Sequence, residues 1–210
     1  MTMLYRLDAF AADIARALGA RAGDDPWQGG YVAPGNFAPV VTAGREFIAG
    51  PRPTGRKLET RMVPRLWGVP PPPSAGDPMR MVATVRNPDS PFWIGNLRNS
   101  EFRCLVPATA FMEWGSGTDH EGRRLQHWFG AGEAPILAMA AVWKDSEVPG
   151  FALLTCDPAP PLRALGCKGM PVIVPPAAYD SWLHAGWDRA SALVKPYDVR
   201  PRPERGSGRA

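Results

Sequence analysis

The chain has 210 residues, of which 45% are hydrophobic and 21% are charged. This composition excludes a disordered or fibrous protein and predicts a globular chain that can bury a core without cross-links. The formal net charge is +4, but half of that surplus lies in residues 196–210, which hold four arginines and two acidic residues. Charge alone therefore does not establish a nucleic-acid partner.

Three cysteines, Cys104, Cys156 and Cys167, cannot form an even disulfide framework, and their spacing matches no zinc-ligand pair. Cys104 and Cys156 lie in apolar segments and are predicted core residues. The sequence has no apolar run of about eighteen residues and no signal-peptide pattern. We therefore expect a cytoplasmic protein that uses no metal or cofactor, does not associate with a membrane and acts as a monomer.

The first predicted element is a helix over Asp8–Leu18, with apolar residues at helical spacing, Asp8 as a possible N-cap and Gly19 as the C-terminal stop. Short β-forming segments follow, separated by glycine, proline and aspartate turns. These segments are Pro39–Thr42, Glu46–Ile48, Met62–Trp67, Arg80–Val85, Phe102–Val106, Phe111–Trp114, His127–Phe129, Ile136–Val142, Phe151–Thr155 and Val172–Val174. Another helix is predicted over Ala177–Ala185.

Many short strands with peripheral helices predict an α+β fold built on a mainly antiparallel, barrel-like sheet. The proline-rich stretch Pro70–Pro78 is predicted to be a surface loop within one domain, residues 1–195. Residues 196–210 contain few apolar side chains, so we expect a disordered tail.

The segment from Arg103 to Trp114 reads RCLVPATAFMEW and places one carboxylate, Glu113, among apolar and β-forming residues. Burying even a neutral polar group without a partner costs roughly 2–7 kcal/mol. The plain interpretation is that Glu113 points outward at a strand end, before a turn formed by Gly115, Ser116 and Gly117. The alternative is a carboxylate that is partnered, protonated or used in chemistry.

The whole segment resembles the central motif of the SRAP family, the SOS response-associated peptidases or abasic-site processing proteins. Other family motifs occur in order along residues 1–187. The segments of this chain that resemble them are Leu4-Tyr5-Arg6, Tyr31-Val32-Ala33-Pro34-Gly35, Leu66-Trp67-Gly68-Val69-Pro70, Ala138 to Trp143, Phe151 to Thr155 and Gly169-Met170-Pro171-Val172-Ile173. Each motif is weak alone, but together they identify the chain as a member, and the resemblance implies the SRAP fold.

The resemblance also implies chemistry at the N-terminus. Family members use the amine and thiol of an N-terminal cysteine to capture the aldehyde of an abasic site in single-stranded DNA, which gives a stable thiazolidine. This chain has Thr2 at that position, with the Leu4-Tyr5-Arg6 motif at the family offset. Removal of Met1 would free an α-amine with an ordinary pKa of about 7.7–8.0. We expect reversible imine chemistry, strand cleavage at most, and no durable cross-link.

Several other family residues are replaced. The asparagine before Val-Ala-Pro-Gly is Tyr31, the DNA-binding asparagine and arginine fall on Ala83 and Val85, and the histidine before the Met-Pro motif falls on Cys167. Arg86 is one position away from the family arginine, which places it on the opposite face of a strand. Of the family's groups that transfer protons, only Glu113 is retained.

The remaining candidates follow from these positions. Cys167 is a possible substitute nucleophile, if the neighbouring Lys168 lowers the pKa of its thiol; a small buried core residue is the alternative. Trp67 is a candidate for stacking on a base, and Arg80 and Arg86 are candidates for binding nucleic acid. None of the three histidines, His120, His127 and His184, has metal-ligand spacing.

Two functions therefore remain open. In the first, the protein processes abasic sites, with Thr2 and Glu113 as catalytic residues and single-stranded DNA as partner. In the second, it is a catalytically inactive module with the same fold that binds single-stranded DNA or a protein. The losses around Glu113 favour the second function, and the family resemblance favours the first.

Overall fold

The structure is a computed structural model that describes residues 4–23, 25–44, 58–74, 81–130 and 135–202. Its strands are β1 (Tyr5–Leu7), β2 (Gly30–Val32), β3 (Phe37–Thr42), β4 (Arg61–Trp67), β5 (Thr84–Val85), β6 (Arg103–Ala108), β7 (Ala110–Thr118), β8 (Arg124–Gly130), β9 (Leu137–Lys144), β10 (Gly150–Cys156), β11 (Met170–Pro171), β12 (Ile173–Val174) and β13 (Arg200–Arg202). Its helices are α1 (Ala11–Leu18), α2 (Ile94–Arg98), α3 (Pro160–Ala164), α4 (Tyr179–His184) and α5 (Trp187–Ser191).

Five strands close into a barrel. β3 pairs with β4 and β6, β6 pairs with β9, β9 pairs with β10, and β10 returns to β4. Of these five pairings, the one between β4 and β10 is parallel, and a Cβ atom at Gly150 would collide there with the carbonyl oxygen of Gly68. The apolar strands explain this closure, because β6, β9 and β10 are buried along almost their whole length.

A second sheet has the strand order β13-β8-β7-β1-β2. β7 follows β6 after the single residue Thr109, whose backbone N–H donates to the carbonyl of Arg6 at 2.7 Å. The Thr109 hydroxyl donates to the same carbonyl at 3.0 Å. This bend therefore fixes β1 beside β7 and carries the chain from the barrel into the second sheet.

The predicted α+β, barrel-like fold is confirmed, with differences at the ends of elements. α1 begins three residues later than predicted, because Phe10 is its N-cap and Asp8 instead pairs with Arg6 at 2.8 Å. Gly19 ends the helix in a left-handed conformation, as predicted. The predicted Ala177–Ala185 helix is a short 3-10 turn followed by α4.

The C-terminal boundary predicted at residue 195 lies too early. Val199 is buried, and β13 pairs with Trp128, Phe129 and Gly130 of β8. Backbone hydrogen bonds hold this arginine- and proline-rich segment, which has no apolar alternation to reveal it. The predicted strand at Glu46–Ile48, and the remainder of the predicted tail, lie outside the described residues.

Candidate functional site

Glu113 lies inside β7 and not at its end. Its side chain is 1% exposed, and its register partner across the sheet is His127 of β8. Gly115 and Gly117 continue the strand, although the register with β8 is irregular between Trp114 and Thr118. The interpretation of an outward-pointing glutamate before a turn is therefore wrong.

Strand β1 brings the beginning of the described chain close to the Glu113 carboxylate. Tyr5 pairs with Phe111, and the backbone N–H of Met112 donates to the carbonyl of Leu4 at 3.0 Å. Met112 directly precedes Glu113, so the strand runs toward the carboxylate as it approaches the N-terminus. Thr2, the predicted catalytic partner of Glu113, lies outside the described residues.

Cys167 lies close to Glu113 in the fold but is not an activated thiol. The turn that precedes it crosses β7, where the backbone N–H of Ser116 donates to the carbonyl of Leu165 at 3.1 Å. Cys167 is 4% exposed, and burial, followed by the nearby Glu113 carboxylate, raises the pKa of its thiol. Lys168 is exposed and does not reverse this effect. The predicted lowering of the thiol pKa is wrong.

His127 is a site residue that sequence reasoning missed. Its half-buried imidazole lies over Gly115, where a Cβ atom would approach the Nε2 atom to 2.5 Å. The Leu165 carbonyl oxygen lies 3.0 Å from the same Cβ position. Only the strand register brings His127 opposite Glu113, fourteen positions earlier in the chain, so no local sequence motif could have identified it.

Trp67 does not fit its predicted base-stacking role. The ring is fully buried, 5.2 Å from the ring of Tyr5 and stacked 6.2 Å from that of Phe151 between centroids. Its indole N–H donates to the carbonyl of Ala83 at 2.9 Å. No face of the ring is open to a nucleotide, and Trp67 is a core residue.

Arg86 lies at a small polar cavity of about 190 Å³, which Thr155, Cys156, Asp157 and Lys168 also line. Val85 is buried while Arg86 is exposed, as expected for neighbouring residues that point to opposite faces of a strand.

Cys156 is only half-buried, and burial followed by the Asp157 carboxylate raises its thiol pKa to about 11. Its predicted core position is therefore correct only in part. Arg80 lies outside the described residues.

The other replaced positions differ in exposure. Ala83 is buried beside β10, whereas Tyr31 is 51% exposed and contacts the ring of Trp128 edge-on at 5.7 Å. In the part of the chain that the structure describes, no group of three His, Cys, Asp or Glu side chains could hold a metal ion. No described helix is both long and apolar enough to span a membrane.

Comparison with known proteins identifies the family. A model of the SOS response associated peptidase (SRAP) family matches residues 1–203. The chain belongs to the SRAP family. Membership associates it with the cellular response to DNA damage. A search of curated proteins found no match.

Solved structures share the fold at low sequence identity. A protein from Bacteroides thetaiotaomicron is 18% identical with a TM-score of 0.71, covering 97% of this chain and 92% of that one. A protein from Bordetella bronchiseptica is 18% identical with a TM-score of 0.70, over 96% of this chain and 100% of that one. A phage-related protein from the same organism is 16% identical with a TM-score of 0.67, over 96% and 94%.

Proposed function

We propose that this SRAP protein processes abasic sites in single-stranded DNA through the α-amine of Thr2, with Glu113 as the proton-transfer group. The observation that carries this proposal is the position of Glu113, a buried carboxylate on the strand next to β1. Two extended residues span roughly 7 Å. The segment before Leu4 is thus long enough for its amine to meet the carboxylate.

The proposed reaction forms a bond between the Thr2 nitrogen and the aldehyde carbon of the opened sugar. Glu113 accepts a proton from the attacking nitrogen, and the aldehyde oxygen takes a proton from solvent to become a hydroxyl group. Glu113 then gives its proton to this hydroxyl group, which leaves as water to give a protonated imine. Removal of a proton from the neighbouring sugar carbon then breaks the carbon–oxygen bond to the 3′ phosphate. Hydrolysis of the imine releases the protein, because threonine has no thiol to form a stable ring.

In this proposal the protein is a single domain that works as a monomer in the cytoplasm. Arg86 and Lys168 would contribute positive charge at the polar cavity near the site. Arg80 stays a predicted DNA contact. Cys167 has no nucleophilic role in the proposal, because its thiol is buried with a raised pKa.

A second function is supported by a different observation. Ala83 and Val85 are buried apolar residues at the positions where the family binds the DNA backbone, and Trp67 is inaccessible. These changes favour an inactive module that uses the same fold to bind single-stranded DNA or a protein partner. It would bind without forming a covalent adduct.

Borohydride trapping separates the two functions. The protein is incubated with single-stranded DNA that contains one abasic site, and borohydride then reduces any imine to a stable amine. We expect an adduct with the unmodified protein and none after selective acetylation of the N-terminal amine. DNA binding without an adduct in either sample would support the inactive module.

A further inference from the structure

The second sheet has one face that packs into the main core and one that does not. Phe111 and Phe129 belong to the main core, whereas Met112 and Trp128 form a separate small cluster with Ala110. Neighbouring residues of a strand point to opposite faces, so this small cluster marks the outer face of the sheet. The side chains that surround it have no part in the proposed reaction.

Arginines from both ends of the chain lie on the outer face. Arg202 is the register partner of Trp128, and Arg200 lies two residues earlier on β13, so both side chains point outward. Arg6 of β1 lies over the Trp128 ring, 5.8 Å from its centroid. The pairing of β13 with β8 thus places part of the positive charge of residues 196–210 on this surface.

Three acidic side chains near the edges of the outer face are paired. Asp8, just after β1, is 2.8 Å from Arg6, and Arg123 in the β7–β8 hairpin contacts both Asp119 and Glu121 at 2.9 Å. Within the described strands of this sheet, the outward positions hold no acidic residue. A positive charge therefore remains on the outer face, and this charge is complementary to a polyanion.

Aromatic rings lie among these arginines. The Tyr31 ring is 51% exposed and contacts Trp128 edge-on at 5.7 Å, so the sheet supports the ring while about half of it stays open to solvent. The exposed Arg124 lies over the half-buried Trp114 ring at 5.5 Å, and both line a cavity of about 660 Å³. A cavity of this size is within the range of ligand pockets. The face thus offers contacts for phosphates and for bases.

We propose that the outer face of the second sheet binds the stretch of single-stranded DNA next to the abasic nucleotide, and the identity of this strand rests on the proposed function. Guanidinium groups match the geometry of phosphate oxygens, and an exposed tyrosine ring stacks on an unpaired base. Glu113 lies between Met112 and Trp114 on β7, so the outer face adjoins the proposed reactive site. DNA that contacts this face is therefore held close to the carboxylate.

The first test measures affinity for single-stranded DNA without an abasic site, by fluorescence anisotropy, so that no covalent step is involved. The double variant Arg124→Gln/Arg200→Gln removes two exposed guanidinium groups from the face. Each phosphate contact to a single strand contributes about 0.7 to the slope of log affinity against log salt concentration. We expect weaker binding and a slope shallower by about 1.4. The control Arg16→Gln/Arg189→Gln, with the same charge change on exposed helix positions, should keep the slope.

The second test separates base stacking from charge. We expect Tyr31→Ala to bind single-stranded DNA about tenfold more weakly, because it loses the ring on which a base stacks. Tyr31→Phe keeps the ring and should bind like the unchanged protein. Affinity for a duplex of the same sequence should be equal in both variants, since paired bases are already stacked on each other.

The inference is overturned if the arginine double variant and its control bind alike, or if Tyr31→Ala binds as tightly as Tyr31→Phe. Displacement of the DNA by polyglutamate as readily as by unlabelled DNA would also overturn it, in favour of an acidic protein partner. Circular dichroism identifies the folded variants, and the arginine variant decides if Tyr31→Ala fails to fold. The proposed reaction fails separately, through the absence of a borohydride-trapped adduct while DNA binding by this face persists.

Discussion

Two buried charges lie at opposite ends of the segment Arg103 to Trp114, and their surroundings differ. Arg103 at the start of β6 is fully buried and donates to the carbonyls of Trp182 at 2.6 Å and Leu97 at 2.7 Å. It also donates to the carbonyl of Ala185. Leu97 and Trp182 lie in the last turns of α2 and α4, and Ala185 is the C-cap of α4, where helix carbonyls lack internal partners.

Glu113, in contrast, has titratable side chains for neighbours among the described residues. His127 lies opposite it, and Cys167 lies close enough for the two groups to interact electrostatically. Burial alone thus does not distinguish a structural charge from a chemical one. The distinction comes from the neighbours. Backbone carbonyls surround the arginine, whereas among the described residues a histidine lies across the sheet from the glutamate and a cysteine lies near it.

The largest effect on stability is expected at the arginine. Arg103→Met leaves three helix-end carbonyls without their donor, and we expect a loss of about 3–5 kcal/mol in the free energy of unfolding. Urea denaturation measures this loss. The control Arg98→Met, at an exposed position in α2, should change stability by less than about 0.5 kcal/mol. Equal effects of the two substitutions would show that the buried arginine is not structural.

The largest effect on chemistry is expected at the glutamate. Glu113→Gln keeps the shape of the side chain but cannot accept a proton, so we expect the rate of adduct formation to fall about 10²–10⁴-fold. Circular dichroism should show an intact fold. Glu147→Gln, at an exposed turn, should leave the rate unchanged. An unaltered rate in Glu113→Gln would show that Glu113 does not take part in the chemistry.

A substitution at Trp67 tests whether its ring packs in the core or stacks on a DNA base. Trp67→Phe removes the hydrogen bond to Ala83 and part of the buried ring, so we expect stability to fall by about 1–3 kcal/mol. Affinity for single-stranded DNA, measured by fluorescence anisotropy under folded conditions, should stay the same. Weaker DNA binding at unchanged stability would restore the base-stacking role.

The smallest effect concerns the thiols. Burial raises the pKa of Cys156 to about 11 and that of Cys104 to about 12, so both are protonated at pH 8. Alkylation of the native protein should be slow and should accelerate about tenfold per pH unit below pH 11, with half-buried Cys156 reacting first. Mass spectrometry identifies the labelled cysteine. Faster labelling of Cys167 at pH 8 would reinstate it as a nucleophile.

The features that depend on local sequence pattern could be predicted from the sequence. Apolar β-forming runs identified most barrel strands, and glycine placed the end of α1. The strand register could not be predicted, because the irregular pairing between Trp114 and Thr118 determines which residue faces Glu113. The burial of Trp67 depends on Tyr5 and Phe151 from distant strands. β13 was missed because backbone pairing with β8 holds a sequence that otherwise resembles a disordered tail.

The most direct test of the account is to identify the residue that forms the bond to DNA. After borohydride reduction, nuclease and protease digestion leave a sugar remnant whose position tandem mass spectrometry assigns. We expect the remnant on the α-nitrogen of Thr2 in the unchanged protein, and almost none in Glu113→Gln. A remnant on Cys167 or on a lysine, or equal amounts in both proteins, would contradict it.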